Sequence, residues 1–226
     1  MTDTTDARTE VLSRVRSALG LREGQDSTGP VDVPRDYRHT GSVTGADLVD
    51  LLVDRLDDYN ATVARVGGSD AEIAEAVASF LSRRGHNGAS SRIVAPDALS
   101  DAWLAGVDAE TLRDAASAPV DLDALNSVDA VVTASTVAVA DTGTIVLADD
   151  ADGRRATTLV PDHHVVVVRV ADIVELVPEA VSVLTGRGLH TRPVTMVSGP
   201  SATVDIELVR VQGVHGPRTL DVVIAG

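Results

Sequence analysis

The sequence predicts a mixed α/β domain with a mainly parallel sheet and flanking helices, on three observations. Apolar runs alternate with helical stretches over residues 46–96 in the order helix, strand, helix, strand. The chain is 44% hydrophobic but only 2% aromatic, so its core is built from Val, Leu, Ile and Ala, which suits a sheet buried on both faces. At 226 residues it is long enough for one sizeable core and short for two.

Taken in order, Val11, Leu12, Val15, Ala18 and Leu19 mark one face of an amphipathic helix that Gly20 is placed to stop. The polar stretch that follows, with Gly24, Gly29, Pro30 and Pro34, reads as a linker. We therefore expect residues 1–40 to form an N-terminal helix and linker that packs back or docks on a partner, and residues 41–226 to form the domain. ADLVDLLVDRL is helical and ATVARV a strand. Ser69 with Glu72 opens a second helix by a capping box, and RIVAP at 92–96 is the next strand. VDAVVTAS, TVAVAD and GTIVLAD lie too close together for helical crossovers between all of them, so part of the sheet is antiparallel. HHVVVVRV, a helix from near Pro178 to Gly186 or Gly188, then VTMVS and LDVVIA complete the pattern.

Composition excludes several chemistries. The 19 basic residues are all Arg, so no Schiff-base lysine or lysine-bearing phosphate loop exists. No cysteine means no thiol nucleophile, disulfide, or thiolate-held iron–sulfur or zinc site in this chain. A formal charge of −15, spread along the chain, opposes binding to nucleic acid or anionic lipid and fits an acidic, halophilic protein kept hydrated in concentrated salt. Without a signal-peptide pattern or an apolar run of membrane-spanning length, a cytoplasmic protein with no membrane insertion is expected.

Two segments carry more chemistry than a core requires. In Asp141-Thr142-Gly143-Thr144, Gly143 can turn backbone N–H groups toward an anion and the hydroxyls can add donors; a hairpin in which Asp141 caps its own turn is the competing reading. The second runs from Ser198 to Arg218. Gly199, Ser201 and Thr203 follow a strand, on the side where open α/β sheets bind ligands, with Asp205 and Glu207 after them. Arg218 can clamp a carboxylate or phosphate, and His215 can exchange protons near neutral pH. Local capping and an Asp205–Arg218 pair would use the same residues structurally. His163 and His164 point to opposite faces of a strand and so do not chelate one metal; no metal site is expected.

DAVVTASTVAVADTGTIVL, HHVVVVRVADIV and SGPSATVDIELVRVQGVHGPRTLDVVI together resemble the lactate-utilisation (LUD) domain family in its short LutC/YkgG type, and TEVLSRVRSALG is similar to that family's opening helix. The resemblance implies a fold like that of sugar-isomerase (NagB/RpiA) and CoA-transferase domains, and a subunit of an L-lactate to pyruvate oxidation system whose iron–sulfur clusters belong to partner proteins. With that role, the segment chemistry makes Asp141 and His215 the proton-transfer candidates, and Thr142, Gly143, Thr144, Gly199, Ser201, Thr203, Asp205, Glu207 and Arg218 the binding set for a small carboxylate or phosphate-bearing ligand. Asp141 stands where many relatives have Glu, a longer reach. No cofactor is evident, since no GxGxxG dinucleotide fingerprint is present. Whether the chain is itself catalytic stays open. The alternatives are a stand-alone isomerase or CoA-transferase-like enzyme, by fold analogy, and a non-catalytic assembly or regulatory subunit.

Overall fold

The structure is a computed structural model that describes residues 4–21, 32–203, 211–212 and 216–226. The chain divides into two units, Met1–Tyr37 and Arg38–Gly226. The first contains helix α1 (Thr4–Ala18), which ends where Leu21 N–H returns to the Arg16 carbonyl at 2.9 Å.

The second unit is centred on a six-stranded sheet. It comprises β1 (Thr62–Val66), β2 (Arg92–Pro96), β3 (Glu110–Asp114), β4 (Ala130–Thr133), β7 (His163–Arg169) and β12 (Thr219–Ala225), in the order β1-β12-β7-β4-β2-β3. Every neighbouring pair is parallel. Both faces are apolar, as a parallel sheet with covered faces requires. One face carries Ile93, Val132, Val165, Val167 and Val223 against Ile73, Val77, Phe80 and Leu81 of helix α3 (Asp70–Arg83). Ser69 starts that helix with the expected capping box, and Trp103 packs at the same face with its indole N–H on Asp70 Oδ1 at 2.8 Å.

The other face, with Val166, Val168, Val222 and Ile224, is covered by Leu52 and Leu56 of helix α2 (Gly45–Asp58) and by a second sheet. That sheet joins β5 (Val137–Val139), β6 (Thr144–Leu147), β8 (Ile173–Val174) and β9 (Thr195–Val197) in the order β8-β5-β6-β9. The β5–β6 and β6–β9 pairs are antiparallel and β5–β8 is parallel. Only residues 140–143 separate β5 from β6, too few for a crossover, so the antiparallel part predicted from the sequence becomes a separate layer. Helix α5 (Val177–Gly186) closes the outer side of this layer through Ala180 and Leu184. Helix α4 (Leu122–Asn126) buries Leu125 against Val94 and Val131, and a short antiparallel pair, β10 (Ala202–Thr203) with β11 (Val211–Gln212), stands apart. The lead-in to α2 is pinned by Glu175, whose carboxylate accepts the backbone N–H groups of Ser42 and Val43.

The chain has a single Phe, and it is fully buried between α3 and the sheet. Phe80→Ala should lower the unfolding free energy by about 3–5 kcal/mol, the usual cost of emptying a close-packed aromatic site. Urea unfolding of the variant beside the parent chain measures this.

Candidate functional site

The two segments singled out from the sequence meet at the end of α2. The β5–β6 connection places Asp141 at the surface, its N–H on the Glu175 carbonyl at 3.1 Å and its own carbonyl accepting Arg55 Nε at 3.2 Å. Thr142 donates its hydroxyl to Thr144 Oγ1 at 2.8 Å, and Thr144 Oγ1 lies 2.8 Å from Ser198 Oγ. Gly143 (φ +60°) and Gly199 (φ +103°) both press on the last turn of that helix. A Cβ on Gly143 would stand 2.8 Å from Arg55 Cβ, and one on Gly199 would stand 2.6 Å from Tyr59 Cβ. Left-handed backbone and lack of room thus both demand glycine at these two positions.

Beyond that junction the Ser198–Ser201 turn lines a cavity of about 220 Å³, together with Thr158, His164, Gly216 and Pro217. Ser201 N–H donates to the Pro217 carbonyl at 2.7 Å, tying the two walls together. His164 forms part of the floor. Its Nε2 is 2.8 Å from Thr133 Oγ1, and burial pushes its pKa down to about 3, so the ring is neutral. Among the described residues no arginine lines this cavity. Its polarity comes from hydroxyls, backbone groups and a neutral imidazole, a set that orients a hydroxyl or carbonyl rather than clamping a charge.

Arg218 is exposed and pairs with Asp162 Oδ2 at 3.2 Å, away from the cavity lining. Thr203 lies in β10 by its backbone, and its side chain is outside the described residues, as are Asp205, Glu207 and His215. Asp141, Thr142, Gly143 and Thr144 reach the cavity wall only through the Thr144–Ser198 contact. Thr158 and His164 were not in the sequence-derived set. Thr158 belongs to no motif, and His164 carries only the sequence signal of a buried strand.

His163 and His164 do face opposite sides of the sheet. His163 Nε2 is 2.9 Å from Asp221 Oδ2 and its Nδ1 is 3.1 Å from His86 Nδ1. Burial, the neighbouring His163 and Arg84 hold His86 below the usual imidazole range, against the opposing pull of Asp129. Among the described residues no group of three His, Cys, Asp or Glu side chains is placed to hold a metal ion.

The depressed His164 pKa has a pH consequence. The unfolded chain takes up a proton near the ordinary value of 6.5 that the folded chain refuses, so the stability this ring contributes is present above 6.5 and is lost as pH falls toward 3. From pH 7 to pH 5 the stability advantage of the parent chain over His164→Gln should shrink by about 2 kcal/mol, read from urea unfolding at each pH. Gly143→Ala should cost at least about 1–2 kcal/mol in the same assay, from the left-handed backbone alone.

Comparison with known proteins places this architecture. The LUD domain family model matches residues 50–225. Lactate utilization protein C of Deinococcus radiodurans is 39% identical over 225 residues, covering 99% of this chain and 97% of that protein. The uncharacterized protein YkgG of Escherichia coli is 33% identical over 81 residues, 34% of this chain and 35% of its own length. A crystal structure of a DUF162 family protein from Deinococcus radiodurans superposes with a TM-score of 0.66 at 36% identity, covering 82% of this chain and all of that one. The chain belongs to the LUD domain family.

Proposed function

We propose that this protein serves lactate utilisation in the cytoplasm, as a subunit that holds a small hydroxy acid or its oxo acid in the 220 Å³ cavity beside iron–sulfur partner proteins that carry the electrons. The observation that carries this reading is the match, over nearly the full length of both chains, to a protein named for lactate utilisation. The chemistry of the chain supports the division of labour. Converting L-lactate to pyruvate removes two electrons and two protons, and a chain without cysteine has no thiolate to ligate an iron–sulfur cluster that would accept them. The cavity suits a binding role. Ser198, Ser201 and Thr158 offer hydroxyls, the neutral His164 adds a polar floor, and Leu159, Val197 and Leu220 supply an apolar wall for a methyl group. Among the described residues no helix is long and apolar enough to cross a membrane, which agrees with a protein working in the aqueous phase.

The genetic test is direct. A strain lacking this gene should fail to grow on L-lactate as sole carbon source. Growth should return with the parent gene and not with Ser201→Leu, which fills the cavity. Undiminished growth of the deletion strain on lactate would sink the proposal. Calorimetric titration with lactate and pyruvate checks the binding part, with at least a tenfold weaker affinity expected for Ser201→Leu.

A further inference from the structure

The start of β7 carries a chain of polar groups that the 220 Å³ cavity does not use. Asp221 is 2% exposed, and its Oδ1 has no hydrogen-bond partner among the described residues; Arg84 Nη2 approaches it only to 3.7 Å. Its Oδ2 lies 2.9 Å from Nε2 of the equally buried His163, whose Nδ1 meets Nδ1 of half-buried His86 at 3.1 Å. The two ring centres are 5.3 Å apart, so the facing nitrogens lie near the line that joins them and their lone-pair directions oppose. A metal ion there would need both lone pairs to converge on one point and further ligands, and among the described residues no group of three is placed to supply it. His86 stands in the connection from α3 to β2, so this bond ties that connection to a central strand. A second tie, from the Asp108 N–H to Asn87 Oδ1, does not titrate.

The protons can be placed by counting donors. An ionised carboxylate only accepts hydrogen bonds, so His163 Nε2 carries a proton and, in a neutral ring, His163 Nδ1 does not. The proton between the rings therefore belongs to His86 Nδ1, and His86 Nε2 is left bare. A first added proton goes to His86 Nε2 and keeps every bond. A second charges both rings and sets two N–H groups against each other across 3.1 Å, which breaks the contact.

The charges around the pair come from every element packed against it. At the end of α3, Arg84 opposes a charged ring, while Arg83 lies over the Phe80 ring. Asp129, before β4, favours a charged ring, though its Oδ2 already accepts the Arg92 N–H at 2.9 Å. On β2 the Arg92 guanidinium is occupied by Glu110 and Ser127. Arg218 and Asp162, before β12 and β7, hold each other, and His164 faces the opposite side of the sheet. Burial, His163 and Arg84 outweigh Asp129 and keep His86 below the ordinary 6.5, so the closed pair contributes stability above 6.5 that is lost as pH falls through the lower folded value.

We propose that His86 and His163 form a pH-sensitive latch: the proton between their facing nitrogens holds the α3–β2 connection to β7 at neutral pH, and acidification that charges both rings releases it. Asp221 sets the direction of the device, because its carboxylate fixes which nitrogen of His163 is bare. The latch involves no ligand and none of the residues that line the 220 Å³ cavity, except that His163 precedes His164 on the same strand, so it stands or falls apart from the lactate reading.

Amide hydrogen exchange of the full chain, corrected for the intrinsic effect of pH, tests it. Gly85 N–H on the Ser82 carbonyl and Ser91 N–H on the Gly88 carbonyl report on the connection, and Val222 and Ile224 of β12 on the sheet. From about pH 7.5 to about pH 4.5, protection of Gly85 and Ser91 should fall roughly tenfold or more relative to the β12 amides. His86→Asn keeps a donor at the same place, cannot be charged, and turns its amide oxygen to His163 once that ring is protonated, so its connection should stay protected at both pH values. His86→Ala, at a half-buried position, should show the low protection already at neutral pH. Nitrogen NMR of the imidazole rings should find the neutral-pH protons on His86 Nδ1 and His163 Nε2. Unchanged protection of the parent chain across that range, an equal fall in His86→Asn, or a neutral-pH His86 proton on Nε2 overturns the latch.

Discussion

Strands β7 and β12 run side by side in the middle of a parallel sheet, and their Val, Leu and Ile residues leave neither face able to meet water. At roughly 25 cal/mol per Å² of apolar surface removed from solvent, covering both faces is the dominant requirement on the rest of the chain. One face is met by α3 together with Leu99 and Trp103 of the segment after β2. The other face is wider than α2 can cover, and the four-stranded layer supplies the remainder through Ala138, Ile145 and Leu147. That layer carries the Asp141–Thr144 connection and leads directly into Ser198, so the meeting of Thr144 with Ser198 follows from how the sheet is covered. The cavity lies where an imidazole, His164, interrupts the row continued by Val166 and Val168 on that face.

Charge is handled in the same local way. The chain meets its buried carboxylates with arginine, histidine, hydroxyls and backbone N–H groups, since it has no lysine. Asp114 faces a bidentate guanidinium, Asp152 a ring of N–H groups and a hydroxyl, and Asp221 the His163 ring with Arg84 3.7 Å away. Burial raises the Asp152 carboxyl above its ordinary range, against the pull of the Thr136 hydroxyl and of the N–H groups of Asp149 and Ala148. Such groups favour one arrangement more than they add stability, because any shift leaves a buried charge without its partner. The loop from Ala148 to Thr157 is therefore held rigidly although it has little regular structure.

Much of this fold was legible because its long elements carry their own signals. The Ser69–Glu72 capping box and the spacing of Ile73, Val77, Phe80 and Leu81 mark α3, and β-branched density marks β7 and β12. Strand β3 and helix α4 went unread. Glu-Thr-Leu-Arg-Asp is polar, as an edge strand with one buried residue can be, and α4 is five residues long. The division into two sheets was also out of reach, since short spacing reveals antiparallel pairing and not the layer it joins. At the site, Gly143 and Gly199 were visible as glycines, but their shared contact with the end of α2 spans more than eighty residues of sequence. Arg218 was legible as a guanidinium after the Gly-Val-His-Gly-Pro run, but its pairing with Asp162, 56 residues away, was not. The Arg154–Asp114 clamp joins residues forty apart, and no periodicity reports such a pair.

The β6–β9 ladder relates the 220 Å³ cavity to a larger cleft of about 570 Å³ at the C-terminal ends of β2 and β3. Its register runs Leu147 to Thr195, Val146 to Met196 and Ile145 to Val197, and then passes into the Thr144–Ser198 side-chain contact. Leu147 lines the larger cleft, Val197 and Ser198 line the smaller cavity, and Thr195 lines both. From the shared Thr195 to Ser198 is three residues, about 10 Å at the usual rise per residue. A hydrogen-bonded strand pair transmits displacement along its length better than a loop does, because sliding one strand breaks the register of every pair at once. A ligand that moved Thr195 would therefore move Ser198, and with it the hydroxyl contact to Thr144. The distance also limits what one small molecule can do. A three-carbon acid cannot reach from the far side of Thr195 to Ser198, so contact with both ends of that segment takes an extended ligand, and separate occupants are the simpler chemistry.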